Sequence, residues 1–264
     1  MSQIRQTFQR PLQFMFTMRT TIYFLLIACA IALMGCESKL SDPQLIVDKA
    51  IEAAGGDKYN NSTIEFDFRG RHYIAKHNGG SFSYERIFND DSLGTVHDFV
   101  NNEGFKREIN EDIAMVHDTM ATKYASSTNS VNYFALLPYR LNDAAVNKKF
   151  LGETTINETA YYKVQVTFSA DGGGEDHEDR YIYWFNLDTF TLDYLAYSFA
   201  ESDETSFRFR VAYNPRAVNG IRFQDYINYK PENNSLTVDQ AEELYKNGEL
   251  VGLSRIETEN VMVK

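Results

Sequence analysis

Polar and apolar residues alternate with a period of two along most of the chain, and this pattern predicts a protein built mainly from β-strands. At positions 64–69, three apolar side chains alternate with Glu65, Asp67 and Arg69, which is typical of a strand with one buried face. The other segments that we assign to strands are 72–76, 82–88, 95–100, 105–109, 113–117, 150–156, 161–169, 180–186, 192–199, 206–213, 221–229 and 254–263. Gly, Asn and Asp turn signals separate many of them, so consecutive strands are expected to form hairpins.

Three segments follow a helical pattern instead. Asp42-Pro43 provides an N-cap and a proline at the first helical position, and Gly55-Gly56 provides a stop. Between Thr119 and Leu141 the alternation fails, which predicts one or two helical segments broken near 126–130. The last helix is expected at 238–246, because Thr237 and Gln240 have the spacing of a capping box.

The order of these elements predicts the fold class. Strands arrive in runs and do not alternate with helices, which disfavours a parallel α/β architecture. The absence of a repeat of 20–50 residues also argues against a propeller or a solenoid. We expect an α+β, mainly β fold: one large, curved, antiparallel sheet resembling an unclosed barrel, with about three helices covering its concave side.

Some late strands are apolar on both faces, as at Tyr183 and Phe185 on one side and Ile182 and Trp184 on the other. Both faces must therefore be covered. The predicted helices are few for so many strands, which leaves three alternatives: a core filled by the helices, a cavity for an apolar ligand, or a partner surface. If a cavity exists, its wall is expected to come from one face of Ile64, Phe66, Phe68, Tyr183, Phe185, Phe207 and Phe209.

The N-terminus has the features of an export signal. Arg5, Arg10 and Arg19 are the charged residues before Glu37, and the uncharged run 20–35 is short for a helix that must cross ~30 Å of hydrocarbon. Translation from Met18 would give a more compact signal than translation from Met1.

The segment Leu33-Met34-Gly35-Cys36 resembles the bacterial lipobox. The resemblance implies that residues 1–35 are a signal peptide and that Cys36 carries a diacylglyceryl (palmitate-type) anchor. Residues 36–42 would then form a tether, and residues 43–264 a single domain. Because the second cysteine, Cys29, lies inside the signal, no disulfide is expected. The expected location is the cell envelope, with the protein anchored in the outer membrane.

Composition and charge exclude other classes. The 264 residues are 43% hydrophobic and 14% aromatic, too apolar for a disordered chain. Removal of residues 1–35 takes away three arginines and no acidic residue, which changes the formal charge from −11 to −14. Such a chain repels nucleic acid and anionic headgroups, so membrane attachment is expected from the acyl chains.

The segment 171–179 contains five carboxylates and one imidazole after a glycine run. Asp171, Glu175, Asp176 and Asp179 are candidate Ca²⁺ ligands, because Ca²⁺ binds irregular sets of oxygen atoms. The alternatives are a solvated hairpin tip, a partner contact, or a metal-dependent hydrolase that would lose turnover on replacement of Asp176 or His177. The chain has no nucleophile elbow, zinc-protease motif, phosphate loop or dinucleotide fingerprint, which favours a protein that is not an enzyme.

Several segments together resemble one family of proteins. They are 47–56, 66–69, 171–174, 183–184 and 224–226, and they are similar to the uncharacterised DUF6503 lipoprotein family. The order of elements also looks like the LolA/LolB-type lipoprotein-carrier fold, an unclosed antiparallel barrel with a helical lid over an acyl-binding cavity. The resemblance implies a monomeric envelope lipoprotein that binds an acyl chain, from a lipid or another lipoprotein, without catalysis or cofactor. The rival function is a surface interaction or scaffold lipoprotein with a filled core.

Overall fold

The computed structural model describes residues 40–169, 179–201, 204–232 and 236–264. Within it, Ser41–Lys264 forms one compact unit. The predicted signal peptide and Cys36 lie outside the described residues, as do the loop positions Asp171, Glu175 and Asp176.

The described residues contain three α-helices and fourteen strands. The helices are α1 (Pro43–Ala54), α2 (Asp118–Ala135) and α3 (Ala241–Lys246), and short 3₁₀ turns cover Gly56–Tyr59, Tyr139–Asn142 and Val238–Gln240. The strands are β1 (Thr63–Phe68), β2 (Arg71–Asn78), β3 (Ser81–Asp90), β4 (Gly94–Asn101), β5 (Gly104–Ile109), β6 (Asp112–Ile113), β7 (Val146–Ile156), β8 (Thr159–Phe168), β9 (Tyr181–Asn186), β10 (Leu192–Glu201), β11 (Glu204–Val218), β12 (Ile221–Pro231), β13 (Leu250–Ile256) and β14 (Glu259–Val263).

The strands form two antiparallel sheets of seven. The N-sheet has the order β14-β1-β2-β3-β4-β5-β6, and the C-sheet has the order β13-β12-β11-β10-β9-β8-β7. Consecutive strands β13 and β14 belong to different sheets, so the C-terminal segment joins the two. Between them, the N–H of Thr258 donates a 3.1 Å hydrogen bond to Asp225 Oδ1 on β12. The predicted fold class is confirmed. The strands form two sheets, whereas one large sheet was expected.

The predicted ends of α1 and of the last helical segment are confirmed. Asp42 Oδ1 accepts a 2.9 Å hydrogen bond from the N–H of Gln44, and α1 ends at Gly55, whose φ of 142° favours glycine. Thr237 and Gln240 form the expected capping box, but 238–240 is a 3₁₀ turn that leads into α3.

Three local predictions were wrong. The single strand expected at 254–263 is divided between β13 in the C-sheet and β14 in the N-sheet. Helix α2 runs without a break through 126–130, because a hydroxyl there bonds back to the helix: Thr128 Oγ1 donates to the carbonyl of Tyr124 at 2.9 Å. The strand predicted at 113–117 shrinks to the two residues of β6, and Met115 is 99% exposed. His117 is the N-cap of α2 instead.

Helix α2 contacts one face of each sheet, which we call the inner face. On the N-sheet, Arg86 Nη1 donates to Ser127 Oγ at 2.7 Å, and on the C-sheet the Arg210 guanidinium lies 5.4 Å from the ring centroid of Phe134. Helix α1 contacts both β7 and β12, so it crosses most of the C-sheet.

The opposite, outer face of the C-sheet has its own core under α3 and the turn before it. The cluster consists of Ile156, Tyr161, Ile182, Trp184, Tyr194, Ala196, Phe207, Phe209, Val238, Ala241 and Leu244.

Phe207 and Phe209 alternate with Arg208 and Arg210 on β11. Arg210 lies across from Leu195, which lies across from Tyr183, so Arg210 and Tyr183 are on the same side of the sheet. The prediction that Phe207 and Phe209 share a face with Tyr183 was wrong. The prediction that all the helices cover one side was wrong too, because α3 covers the outer face.

Candidate functional site

Five of the seven predicted wall residues lie on the inner faces. Ile64, Phe66 and Phe68 come from β1, and Tyr183 and Phe185 come from β9. Their exposures lie between 0% and 8%. Phe68 contacts α2 through Phe134, with ring centroids 5.2 Å apart, so the helix covers this apolar wall directly.

Helix α2 covers the wall with a polar side. Its buried residues are Thr128 and Asn132, and Tyr124 and Ser127 of the same helix contact arginines of the N-sheet. Aromatic side chains of the same helix also pack on the sheets, as Phe134 does on Phe68 and Tyr133 does on Phe168. Helix α2 is therefore held over the inner face by polar and aromatic contacts together, and we call it the lid.

Polar atoms with no hydrogen-bond partner among the described residues are concentrated on this side. Those on this side are Tyr59 Oη, His77 Nδ1, Asn132 Oδ1, Tyr133 Oη, Tyr183 Oη, Arg210 Nε and Asn228 Oδ1, and Arg180 Nε is a further such atom. Asn132 and Tyr133 belong to the lid, and Asn228 lies across from Arg210 on the inner face of the C-sheet. Buried polar groups normally have a partner, in the protein or in bound water.

The tyrosine and histidine side chains in this set are held neutral. Burial raises the pKa of the Tyr183 hydroxyl well above its usual value, and the nearby Tyr133 hydroxyl raises it further. Burial, helped by the charge of Arg140, lowers the pKa of His77 to about 4. At neutral pH the tyrosines are therefore O–H donors, and His77 is an uncharged imidazole whose other nitrogen lies 3.2 Å from the Tyr84 hydroxyl.

A small cavity lies between α1 and the C-sheet. Its volume is about 10 Å³, and its lining includes Ala50, Ala54, Leu137, Leu192 and Gln224. A space of about 10–15 Å³ holds one water molecule. An acyl chain would therefore need room made by movement of the lid or of α1.

Three charged residues under the lid were missed by the sequence analysis. Arg86, Asp98 and Arg107 come from β3, β4 and β5, and their side chains are 4%, 0% and 7% exposed. The two guanidinium groups enclose the carboxylate, with the shortest N–O distances at 2.6 Å. A signal was present in the sequence: all three replace apolar residues at inward positions of neighbouring strands, as Asp98 does between Val96 and Val100.

Of the four predicted calcium ligands, Asp179 lies among the described residues and the other three do not. Among the described residues, no group of three or more His, Cys, Asp or Glu side chains could hold a metal ion. Calcium binding by the 171–179 loop stays a prediction. Within the same part of the chain, no helix is both long and apolar enough to cross a bilayer.

Solved structures of three proteins resemble this one in outline. They are a DUF1329 family protein from Desulfovibrio piger ATCC 29098 (11% identity, 84% of this chain and 93% of that chain covered, TM-score 0.48) and the LolA superfamily protein NE2245 from Nitrosomonas europaea (11%, 84% and 93%, 0.47). The third is a putative outer membrane lipoprotein-sorting protein domain from Vibrio parahaemolyticus (7%, 83% and 91%, 0.46). No curated protein matches the sequence.

One family model covers most of the chain. The model of DUF6503, described as a family of unknown function, matches residues 21–258. This match includes all three helices, both inner faces and the strands β1 to β13. The chain therefore belongs to the DUF6503 family.

Proposed function

We propose that this protein is a lipoprotein of the bacterial cell envelope, anchored in the outer membrane through Cys36, whose inner face binds an acyl chain or similar lipid-like ligand without catalysis. The anchor is supported by the lipobox-like segment 33–36 after an uncharged run. The ligand class is supported by the aromatic wall beneath the lid.

The observation that carries the binding proposal is the set of unpartnered polar atoms on the inner side. Tyr183 is 0% exposed, and apart from its interaction with the Tyr133 hydroxyl its own hydroxyl has no hydrogen-bond partner among the described residues. Each such buried group costs about 1–3 kcal/mol of folding free energy. A lipid-like ligand with ester or hydroxyl oxygens would pair with these groups and place its chain against Phe66, Phe68 and Phe185.

The lid provides the route for the ligand. Its two fully buried side chains, Thr128 and Asn132, are polar, so their exposure on displacement costs less than exposure of apolar side chains of that size would. The wall beneath it is mainly aromatic and would be covered again by the ligand chain. We therefore expect a bound ligand to take the place of the lid on this aromatic wall.

A second candidate function follows from the tight packing of the wall. The five wall residues are at most 8% exposed, and the cavity near α1 holds about one water molecule. These observations favour a scaffold or surface interaction lipoprotein whose core is filled by its own side chains. The two functions differ in whether an acyl chain reaches the inner face.

A photoactivatable fatty acid tests this difference on the full-length lipoprotein in bacterial membranes. We expect an alkyne-tagged, diazirine-bearing long-chain probe to label peptides from β1, β9 and the lid. Ala75→Leu fills space on the inner face of the N-sheet and should reduce this labelling, whereas Ala196→Leu makes the same change on the outer face of the C-sheet and should not. Both alanines are 0% exposed, and each change costs about 1–3 kcal/mol of stability.

Failure of inner-face labelling would overturn the proposal. If the labelled peptides come from exposed outer segments alone, or if no peptide is labelled, the scaffold function is favoured. Thermal unfolding of both variants shows whether they remain folded under the labelling conditions.

A further inference from the structure

The carboxylate of Asp98 accepts four hydrogen bonds from its two arginine neighbours. Arg86 donates to Oδ2 from Nε at 3.1 Å and from Nη2 at 2.6 Å. Arg107 donates from Nε to Oδ1 at 2.6 Å and from Nη2 to Oδ2 at 3.0 Å. Three of these four donors reach Oδ2 and one reaches Oδ1, so each arginine makes two hydrogen bonds to the one carboxylate.

The cluster has two guanidinium charges and one carboxylate charge, so one positive charge has no countercharge within it. The remaining direct partners are neutral: Arg86 Nη1 donates to Ser127 Oγ at 2.7 Å, and the Arg107 guanidinium lies 3.6 Å from the ring centroid of Tyr124. Burial by itself would lower the pKa of Arg107, but its interactions with Asp98 and Tyr124 raise that pKa above its usual value. The Arg107 guanidinium therefore stays charged.

A third arginine adds to the positive charge at this end of the inner face. The guanidinium of Arg71 lies 4.8 Å from the ring centroid of Phe88, and that of Arg86 lies 5.6 Å from the same ring. Asp98 is the one described carboxylate within salt-bridge distance of Arg86 and Arg107. An uncompensated buried charge costs several kcal/mol.

Three other buried carboxylates lie in ion clusters without such an excess of arginine or lysine. Glu85 on β3 is paired with Lys76 at 2.6 Å. Asp225 on β12 is paired with Arg216 at 3.0 Å. Glu242 on α3 is paired with Lys163 and Lys246, and Lys246 also reaches the second carboxylate of Glu243 at 3.3 Å. The unbalanced cluster is the one that faces the lid.

We propose that the inner site takes an acyl chain that ends in a single anionic group, a carboxylate or a phosphate monoester, and that Arg86 and Arg107 bind this group. The inference rests on the proposed function, because it concerns the headgroup of the same ligand. When the lid lifts, the anion replaces Ser127 and Tyr124 as the partner of the two arginines. Guanidinium suits both headgroups, since its fork of donors matches the oxygens of either one.

The hydroxyls of Tyr133 and Tyr183 support an amphipathic ligand independently of the charge. Both are buried on the inner side and interact with each other, and neither has another hydrogen-bond partner among the described residues. Two facing hydroxyls can satisfy only one of their two O–H donors, so a pure hydrocarbon would leave the other without a partner, which is costly in a dry interior. A ligand with oxygen atoms near its headgroup satisfies it.

Three photoactivatable probes with the same chain test the inference on the full-length protein in membranes: the fatty acid, its methyl ester and the lysophosphatidic acid. Labelling of inner peptides is normalised to the amount of each probe in the membrane fraction. We expect an acidic probe to label at least about tenfold more than the methyl ester, the effect of one hydrogen bond between charged groups. The acidic probe that labels the inner peptides more strongly shows whether the headgroup is a carboxylate or a phosphate.

A charge variant assigns the preference to the cluster. Arg107→Gln removes the excess charge and leaves Asp98 paired with Arg86, so acid labelling should fall about tenfold while ester labelling stays the same. Arg255→Gln removes the same charge from a side chain that is 67% exposed. It should change neither the labelling by the acidic probe nor the labelling by the ester. An acid preference that survives Arg107→Gln in folded protein overturns the assignment.

The probes also separate failure of this inference from failure of the proposed function. Equal labelling of inner peptides by the methyl ester and both acidic probes overturns the anionic headgroup and leaves acyl binding intact. Absence of inner labelling by all three probes overturns both. If Arg107→Gln does not fold, the comparison of probes on the unchanged protein still decides.

Discussion

Trp184 on β9 donates a 3.0 Å hydrogen bond through Nε1 to Glu242 Oε2 on α3. The same carboxylate accepts from Lys163 at 2.8 Å and from Lys246 at 2.6 Å, and it also bonds with Thr154. This contact joins the outer core of the C-sheet to the helix that covers it. Burial by itself would raise the pKa of Glu242, but these hydrogen bonds lower it to about 2.

Replacement of Glu242 by glutamine should destabilise the protein at neutral pH. The folded-state pKa is depressed, so the stabilisation is complete above the unfolded pKa of about 4.5 and is lost as the pH falls toward 2. We expect Glu242→Gln to lower the free energy of unfolding by about 2–3 kcal/mol at pH 7. Denaturant unfolding of the purified protein between pH 7 and pH 3 measures the difference, which should shrink with acid.

Glu243→Gln is the control for this prediction. Glu243 is adjacent, but its side chain is 69% exposed, so its loss should change stability by under about 0.5 kcal/mol. A Glu242→Gln variant as stable as wild type at pH 7 would show that the carboxylate is not needed to hold α3.

His77 should make the protein sensitive to mild acid. Its pKa is lowered from 6.5 to about 4 in the folded state, so the unfolded chain binds a proton that the folded protein does not. Stability is therefore complete above pH 6.5 and falls as the pH drops toward 4, with a slope of up to about 1.4 kcal/mol per pH unit. Denaturant unfolding across this range should show the slope, and His77→Phe should remove it. An unchanged slope in the variant would assign the acid sensitivity to other groups.

Asp98 should be essential for folding because it neutralises two buried arginines. Asp98→Asn leaves both guanidinium groups without a countercharge and should cost about 3–5 kcal/mol. Asp67→Asn also removes one carboxylate from the N-sheet, but its side chain is 35% exposed, and the expected cost is below about 1 kcal/mol. Thermal and denaturant unfolding compare the two variants. Equal effects would argue that a ligand or water already compensates the cluster.

Cys36 should carry the lipid anchor. Metabolic labelling with an alkyne-tagged palmitate should mark the full-length protein, and Cys36→Ser should abolish the labelling, because the thiol is the acceptor for the diacylglyceryl group. Cys29→Ser is the matched control and should retain the label, since Cys29 lies within the expected signal peptide. Labelling that survives Cys36→Ser would refute the anchor.

The local signals in the sequence were sufficient for most helix ends and strand positions. Asp42 and the Thr237–Gln240 pair act within a few residues of chain, so their hydrogen bonds form almost wherever the helix packs. The polar run 126–130 misled the analysis, because serine and threonine compete with helix only when their hydroxyls have better partners elsewhere. In the structure, Thr128 bonds to its own helix and Ser127 bonds to Arg86.

The candidate site could be predicted only in part. Ile64, Phe66 and Phe68 lie on the inner side as expected, but the strands of the C-sheet are apolar on both faces, so periodicity could not place Phe207 and Phe209. The arginine cluster needed three strands in register: Arg86 lies across from Asp98, and Asp98 lies across from Arg107. Such pairings join residues distant in sequence, and no local pattern encodes them.

The sequence by itself determined the class of protein: an acidic chain of antiparallel hairpins with three helical segments, because these properties depend on composition and on short-range periodicity. The tertiary structure decided which side of each sheet a helix covers, because side chains on a two-faced strand are sorted only by what packs against them. It also decided that one buried carboxylate would face two arginines beneath a polar lid, because charge balance in an interior depends on strand register.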